Sequence, residues 1–325
     1  MIEFKRAGVV LEPTALAFEA LGVLNPAVIM HNGVIHMFYR AVALNHISTI
    51  GYCRFQTPLL IEKRSNKPIL IGQTIHEAMG MEDPRLVRIE DLFYLSYTAF
   101  DGKSALGSLL LSTDLIHFYG KRVIVALQKL KTKKNQQVER YRWDKNLVFF
   151  PRRINGQIYF MHRIKPHILL SSVTDISEVD EQFWKRKPSY KINTRLFLKS
   201  REIGSNYVGA GCPPIETEAG WLLIYHAAYL LEGQIIYKIH VALLDINQPS
   251  RVIAELPYPV LEPQTTYERF GNVNDVVFPT ASIEVLDTVY VYYGAADSCI
   301  ACAYVSMSAL LQELLKNPLP DTYDA

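Results

Sequence analysis

The stretch DPRLVRIEDLFYLSYTA, residues 83–99, decides the fold, because the chain repeats its plan. It opens at Pro84, runs through a short apolar segment, turns at Glu90-Asp91 and closes in an aromatic-rich segment ending at Tyr97. Two apolar runs separated by a pair of turn residues read as a β-hairpin. Four further copies follow the same plan: NPAVIMHNGVIHMFYRA (25–41), FPRRINGQIYFMHRI (150–164), PPIETEAGWLLIYHAA (213–228) and FPTASIEVLDTVYVYYGAAD (278–297). Their opening prolines are Pro26, Pro151, Pro214 and Pro279. Their turns are Asn32-Gly33, Asn155-Gly156, Ala219-Gly220 and Leu286-Asp287, of which Asn-Gly is a strong hairpin signal. The closing aromatics, Tyr39, Tyr97, His162, Tyr225 and Tyr293, recur at intervals of roughly 60–70 residues, and such self-similarity marks a repeat architecture.

Each unit holds two clear strands and has room for two more, and four-stranded units arranged radially make a β-propeller. The expectation is therefore an all-β, five-bladed β-propeller spanning residues 1–325 as a single catalytic domain, with one short C-terminal helix. Ser308 is expected to cap that helix over ALLQELLK, with Asn317-Pro318 stopping it. A β-sandwich is the alternative, but it does not require a fivefold pattern. The lysine-rich stretch KLKTKKNQQVERYRWDK (129–145) reads most simply as a solvated loop, the alternative being that its end contributes to a site. Residues 120–142 and 173–200 are long enough to cap a cleft or mediate assembly as a homo-oligomer.

Composition narrows the function. The net charge of +2 over 325 residues argues against a nucleic-acid partner. The N-terminal MIEFKRAGVVLEP carries charges where a signal peptide needs an apolar core. The longest uncharged stretch, residues 20–39, is broken by Asn25, Pro26, His31, Asn32, Gly33 and His36, which argues against a membrane span. A cytoplasmic protein is expected. Of four cysteines, Cys299 and Cys302 form a lone CxxC, without the second pair that a structural zinc site needs, so no metal is expected. Their spacing places the two thiols on opposite faces of a strand, as packed core cysteines.

A propeller brings equivalent positions of its repeats to the axis. One ring surrounds the opening prolines: Asn25, Asp83, Lys145 with Asn146, Gly211 with Cys212, and Asn274 with Asp275. A second follows the closing aromatics: Arg40, Thr98, Arg163, His226 and Gly294. Together they gather one acid, Asp83, with Arg40, Lys145, Arg163 and a histidine, and such a cluster in a cleft marks a functional site. The imbalance points to a reaction. Inverting hydrolysis of a glycoside needs two carboxylates, an acid and a base for water. Phosphate attacks without a base and needs cations to hold it. One acid among cations suits phosphorolysis.

Four ordered motifs carry a resemblance: GMEDPRLVRIEDLFYLSYTAFDG (80–102), WDKNLVFFPRRINGQIYFMHR (143–163), GAGCPPIETEAGWLLIYHA (209–227) and YERFGNVNDVVFPTASIEVLDTVYVYYGAAD (267–297). At these residues the chain resembles glycoside hydrolase family 130, the mannoside phosphorylases and β-mannosidases. It departs from the family pattern at Asn146, where an aspartate is usual, and at Cys212. The resemblance implies a five-bladed propeller and inverting phosphorolysis of β-1,2- or β-1,4-linked mannosides, giving α-mannose 1-phosphate. It implies that Asp83 is the general acid, its proton passing through the mannose 3-hydroxyl. It also implies that Lys145, Arg163 and His226, with Arg40 and Tyr207, bind phosphate. Asn25, Glu82, Arg85 and Asp275 are expected at the substrate, with Arg85 also readable as the ion-pair partner of a carboxylate. Inorganic phosphate and a mannose-containing oligosaccharide are the partners, and no cofactor is called for. Two other readings remain: an inverting β-1,2-mannosidase, whose base would be Glu202, Glu216 or Glu268, and a non-catalytic glycan-binding propeller. Tyr94, Tyr97, Tyr225 and Tyr293 read mainly as core aromatics, with one or two stacking on sugar.

Overall fold

The computed structural model describes residues 1–131, 137–186 and 205–320. The first blade is built from strands Gly22–His31, Val34–Val42, Ser48–Thr57 and Leu60–Arg64, and the second from Gly80–Ile89, Leu92–Phe100, Ala105–Ser112 and Phe118–Val123. The third holds Lys145–Phe149, Ile158–Ile164 and His167–Val173. In the fourth, Tyr207–Ala210 and Ile215–Thr217 both pair with Gly220–Leu231, followed by Gln234–Leu244 and Val252–Glu255. In the fifth, Val277–Val285, Thr288–Ala295 and Cys299–Ser306 are completed by Lys5–Leu11, the N-terminal strand, which pairs antiparallel with Cys299–Ser306. The two ends of the chain thus close one ring. Asn32-Gly33 and Asn155-Gly156 take positive φ at both positions (51° and 74°, 49° and 76°), as tight hairpin turns require.

Five apolar clusters account for the ring, one at each junction between blades. Phe38 and Ile50 of the first blade meet Leu86 and Phe93 of the second, and Val87 and Tyr94 of the second meet Phe149 and Phe160 of the third. Val148 and Met161 meet Trp221 and Leu223, Leu222 and Ile224 meet Val289 and Val291, and Tyr292 and Ile300 meet Met37 and Val28. Successive residues of one strand enter different junctions, because side chains alternate across the sheet. This is why the strands are apolar on both faces. Cys299 and Cys302 divide the same way, one into the junction of blades four and five and the other into that of blades five and one. Among the described residues no group of His, Cys, Asp and Glu is placed to hold a metal ion.

The closing aromatics have a shared task. In every blade the ring reaches a buried carboxylate. Tyr39 Oη donates to Glu19 at 2.8 Å, Tyr97 to Glu77 at 2.6 Å, Tyr225 to Glu255 at 2.5 Å and Tyr293 to Glu268 at 2.8 Å. His162 Nδ1 lies 2.8 Å from Asp144. Three of these carboxylates also hold a cation: Arg64 on Glu19 at 2.8 Å, Lys121 on Glu77 at 3.1 Å and Arg6 on Glu268 at 2.9 Å. Glu77 and Glu268 further accept the backbone N–H groups of Gln73 and Thr74, and of Gln264 and Thr265. Burial pushes both carboxyls up, but these donors outweigh it and hold them below the ordinary range. These tyrosines are therefore clasps for the blades, and their hydroxyls are committed to carboxylates.

Two local expectations change. The helix, Met307–Leu315, is capped by Ser306, whose Oγ accepts the N–H of Ala309 at 3.2 Å, and not by Ser308, which bonds Asp287. It seats Leu310 and Leu314 against blades four and five. The opening prolines are also not equivalent: Pro26 and Pro84 lie within the first strand of their blades, whereas Pro151 follows the third blade's first strand. The equivalent of Asp83-Pro84 in that blade is Asn146-Leu147, as the strand registers show below.

Candidate active site

A strand irregularity, repeated in three blades, aims side chains at the axis. Glu82 pairs with Thr98 and Arg85 with Ser96, so Asp83 and Pro84 bulge between them. The same shift isolates Asn25-Pro26 and Asn146-Leu147. The bulged residue is left-handed each time, with φ of 47° at Asn25, 51° at Asp83 and 54° at Asn146. Asn and Asp are the side-chain-bearing residues that tolerate this region best. Register then fixes the neighbours: Leu24 pairs with Arg40 and Lys145 with Arg163, so the two polar rings lie side by side. Close approach requires glycine at two facing positions. A Cβ at Gly294 would meet Asn25 Oδ1 at 2.0 Å, and one at Gly209 would meet the His226 ring at 2.4 Å.

The result is a cavity of about 180 Å³, lined by Asn25, Arg40 and Asp83 on one side and by Lys145, Asn146 and Arg163 on another. Tyr237, Val273, Val276, Phe278 and Asp297 complete it. Asp83 Oδ1 accepts a hydrogen bond from Asn25 Nδ2 at 2.7 Å and faces Arg40 at 3.4 Å. Burial pushes the Asp83 carboxyl up, but Arg40, Lys145, Arg85 and the Asn25 amide together hold it below the usual carboxylate range. Glu82 bridges two cations, accepting from Arg40 at 2.7 Å and from Lys145 at 3.1 Å.

The cationic side is built differently. Arg163 is 8% exposed and, among the described residues, pairs with no carboxylate. Burial lowers its pKa. Its guanidinium lies 5.2 Å from the Tyr207 ring centre, and one nitrogen donates to His226 Nε2 at 3.3 Å. Arginine can only donate, so that nitrogen of His226 accepts and the neutral ring carries its proton on Nδ1. Burial, with Arg163, Arg85 and Lys165 nearby, holds the His226 pKa well below its ordinary value. Several buried polar atoms here have no partner among the described residues: Asn25 Oδ1, Asn146 Oδ1, Arg163 Nε and His226 Nδ1.

Of the residues expected at the site, Asn25, Arg40, Asp83, Lys145 and Arg163 line the cavity, with Glu82 paired to two of them. Two stand behind it. His226 supports Arg163, and Tyr207 shares a hydroxyl–hydroxyl bond with the cavity-lining Tyr237. Two are directed elsewhere. Arg85, 1% exposed, donates to backbone carbonyls: Gly211 at 2.6 Å, Asp83 at 2.8 Å and Pro84 at 3.1 Å. Among the described residues it pairs with no carboxylate; it fastens blade two to blade four, and burial pushes its pKa down to about 10. Asp275 faces Arg269 at 3.5 Å and does not line the cavity.

Sequence reasoning missed Asp297, which closes the fifth copy. Burial pushes its carboxyl up to about 6, with Asp83 and Glu82 adding to the rise and Arg40 opposing it. Of the other copies only the second carries an acid at that point, Asp101, and it accepts the backbone N–H groups of Lys103 and Ser104 and does not line the cavity. It also missed Tyr237, from the third strand of its blade. The stretches EALGVLNP (19–26), EAMGMEDP (77–84) and ERFGNVND (268–275) did carry a signal, in that each joins a clasp glutamate through a glycine to the polar ring. The candidate hydrolytic bases are committed elsewhere: Glu268 to its clasp, and Glu216 to Arg152 at 2.5 Å. Glu202, like residues 187–200 of the stretch 173–200, lies outside the described residues.

Comparison with known proteins agrees with this geometry. The sequence model of glycoside hydrolase family 130, described as beta-1,4-mannooligosaccharide phosphorylase, matches residues 10–316. A 1,2-beta-oligomannan phosphorylase of Thermoanaerobacter sp. (strain X514) is 32% identical over 94% of this chain and 98% of its own. A beta-1,2-mannobiose phosphorylase of the same organism is 34% identical over 89% and 91%. Among solved structures, a beta-1,2-mannobiose phosphorylase from Listeria innocua superposes with a TM-score of 0.75 at 23% identity, over 95% of this chain and 97% of its own, which shows the shared five-bladed fold.

Proposed function

The chain belongs to glycoside hydrolase family 130, and from that membership and the site we propose that it is a β-mannoside phosphorylase. It cleaves β-1,2-linked mannosides, the linkage named in the relatives that match it over the greatest length, with inorganic phosphate as nucleophile. The observation that carries the reading is the division of the cavity. The lining carboxylates, Asp83 and Asp297, come from blades two and five, whereas blade three presents Lys145, Asn146 and Arg163 and blade four Tyr237, with no carboxylate among the described residues lining that side. A water nucleophile needs a base facing the acid, and Asp297 lies on the acid's own side, raised by Asp83. A phosphate needs cations and hydrogen-bond donors there, and those are present.

In this mechanism the mannosyl ring occupies the central cavity. Phosphate is held by Lys145 and Arg163, with His226 orienting the arginine and Tyr237 replacing Tyr207 as the contacting phenol. Asp83 delivers a proton to the departing oxygen through the mannose 3-hydroxyl, while a phosphate oxygen forms its bond to C1 with inversion. Arg40 and Lys145 hold the Asp83 carboxyl below its usual range and so favour its ionised form. Bound phosphate offsets those cations and lets the carboxyl take up the proton it must give. Asp297 and Asn25 bind sugar hydroxyls. The reaction needs no cofactor, and we place it in the cytoplasm, where inorganic phosphate is plentiful. The test is product analysis on β-1,2-mannobiose. Mannose 1-phosphate should form only when phosphate is added, and free mannose released at the same rate without phosphate refutes the proposal.

A further inference from the structure

Beside the central cavity lies a second one of about 290 Å³, lined by Arg142, Trp143, Lys145, Arg163, Ile164 and Lys165. The two share Lys145 and Arg163. Four of the six lining residues are cations and none is an acid. Lys145 is paired with Glu82, but Arg142, Arg163 and Lys165 have no carboxylate partner among the described residues. Lys165 is exposed, with its ammonium 3.9 Å above the centre of the Tyr207 ring, the same ring that backs Arg163. Trp143 is 48% exposed, fixed by its indole N–H donating to the Lys103 carbonyl at 2.9 Å, with the Lys145 ammonium 5.5 Å from its ring.

In a chain of net charge +2, this is a marked local concentration of positive charge, and three of its four cations have no carboxylate partner among the described residues. It opens to solvent at Arg142, Trp143 and Lys165 and ends at the two cations shared with the central cavity. Like charges gathered without acids raise one another's energy, and a mobile anion relieves that cost. A cleft of one sign also concentrates the opposite ion and raises its rate of arrival. Phosphate attacks the sugar on the face opposite the departing group, so the side of the ring nearest Lys145 and Arg163 is the nucleophile's side. The leaving sugar has no use for a cationic passage there.

We infer that this second cavity is a phosphate-binding vestibule, through which inorganic phosphate reaches Lys145 and Arg163 and the phosphate of the sugar 1-phosphate product departs, with Lys165 and Arg142 as its binding residues. The inference rests on the phosphorylase reading for its direction of traffic, and on the cavity alone for its ligand class. Lys165→Ala, Arg142→Ala and the double variant test it, measured in phosphorolysis and in the reverse reaction from α-mannose 1-phosphate. The KM for phosphate should rise roughly fivefold per charge removed, the size of one screened charge interaction, while the KM for mannoside stays within about twofold. The decline of kcat/KM with added salt should become shallower, and Lys165→Arg should restore both properties. An unchanged phosphate KM, or an equal rise for the mannoside, overturns the vestibule. A rise in the forward direction alone assigns it to inorganic phosphate, and a rise in both directions assigns it to product as well. Phosphate titrations of Trp143 fluorescence, with Trp143→Phe as control, separate the two readings. If no mannose 1-phosphate forms but phosphate binding still weakens in Lys165→Ala, the vestibule stands and the phosphorylase reading falls.

Discussion

The clasps and the central cavity use the same residue types at similar burial, yet they are finished differently. Glu268 is fully buried and accepts from Arg6, Tyr293, Gln264 and Thr265. Arg163, equally withdrawn from water, has one nitrogen on His226 and a buried Nε with nothing. Asn25 and Asn146 each leave a carbonyl oxygen unmatched. A buried polar group without a partner costs free energy, so natural proteins leave few of them. The contrast is one of completeness: Glu268 is engaged at once by a cation, a phenol and two backbone N–H groups and holds the blades, whereas the open groups of Arg163, Asn25 and Asn146 belong to residues lining the cavity and await a substrate.

Substitutions can break this division, and the largest effect belongs to the acid. Asp83→Asn should lower kcat by roughly 10³-fold, the usual worth of a general acid, with a melting temperature close to wild type. Retention of a tenth of the activity would show that the proton comes from elsewhere. Glu268→Ala attacks the other half. It strands Arg6 and Tyr293 and should destabilise the fold by about 3 kcal/mol, the usual loss when one member of a buried pair is removed. In the folded protein KM values should stay near normal, and a large loss of kcat without loss of stability would place this glutamate in the site. Arg163→Ala should raise the KM for phosphate about thirtyfold, as loss of a hydrogen bond to a charged group does, and that for mannoside far less. Equal effects on both would remove it from the phosphate.

The smallest expected effect is a pH dependence at Asp297. An unfolded aspartate releases its proton near 3.8, whereas this one holds it to about 6. Between those values the native state binds the extra proton, so this group's contribution to stability falls as pH rises through the window. Asp297→Asn should therefore match wild type in melting temperature near pH 4 and exceed it near pH 7. A difference that stays constant across that range would show that the carboxyl is not strained by its neighbours.

Much of this was legible in the chain. Five hairpins with shared turn chemistry announced five blades, and the residues before Pro26 and Pro84 announced the axis. The two polar rings predicted Asn25, Arg40, Asp83, Lys145 and Arg163 at one cavity. The errors share one cause. Arg85 follows Asp83 by two residues and was expected near substrate or a carboxylate, but the bulge between Glu82 and Arg85 redirects it to backbone carbonyls. Tyr237 reaches the cavity from a strand outside the repeated hairpin, and Asp297 reaches it from a position whose counterpart in the second copy, Asp101, turns back on the N–H groups of Lys103 and Ser104. Tyr97, Tyr225 and Tyr293 read as aromatic packing because their carboxylates lie 20 to 30 residues away in sequence.

Local pattern alone determined the hairpins, the number of blades and the left-handed polar residues, because turn chemistry and strand alternation act over a few neighbours. Only the closed ring decided which charges are neutralised. Whether an ion finds a partner depends on what another blade presents, and that pairing is set by junctions between strands distant in sequence. Arg6 reaching Glu268 across the closure, and Lys165 reaching no acid among the described residues, are facts of the ring and not of any segment of the chain.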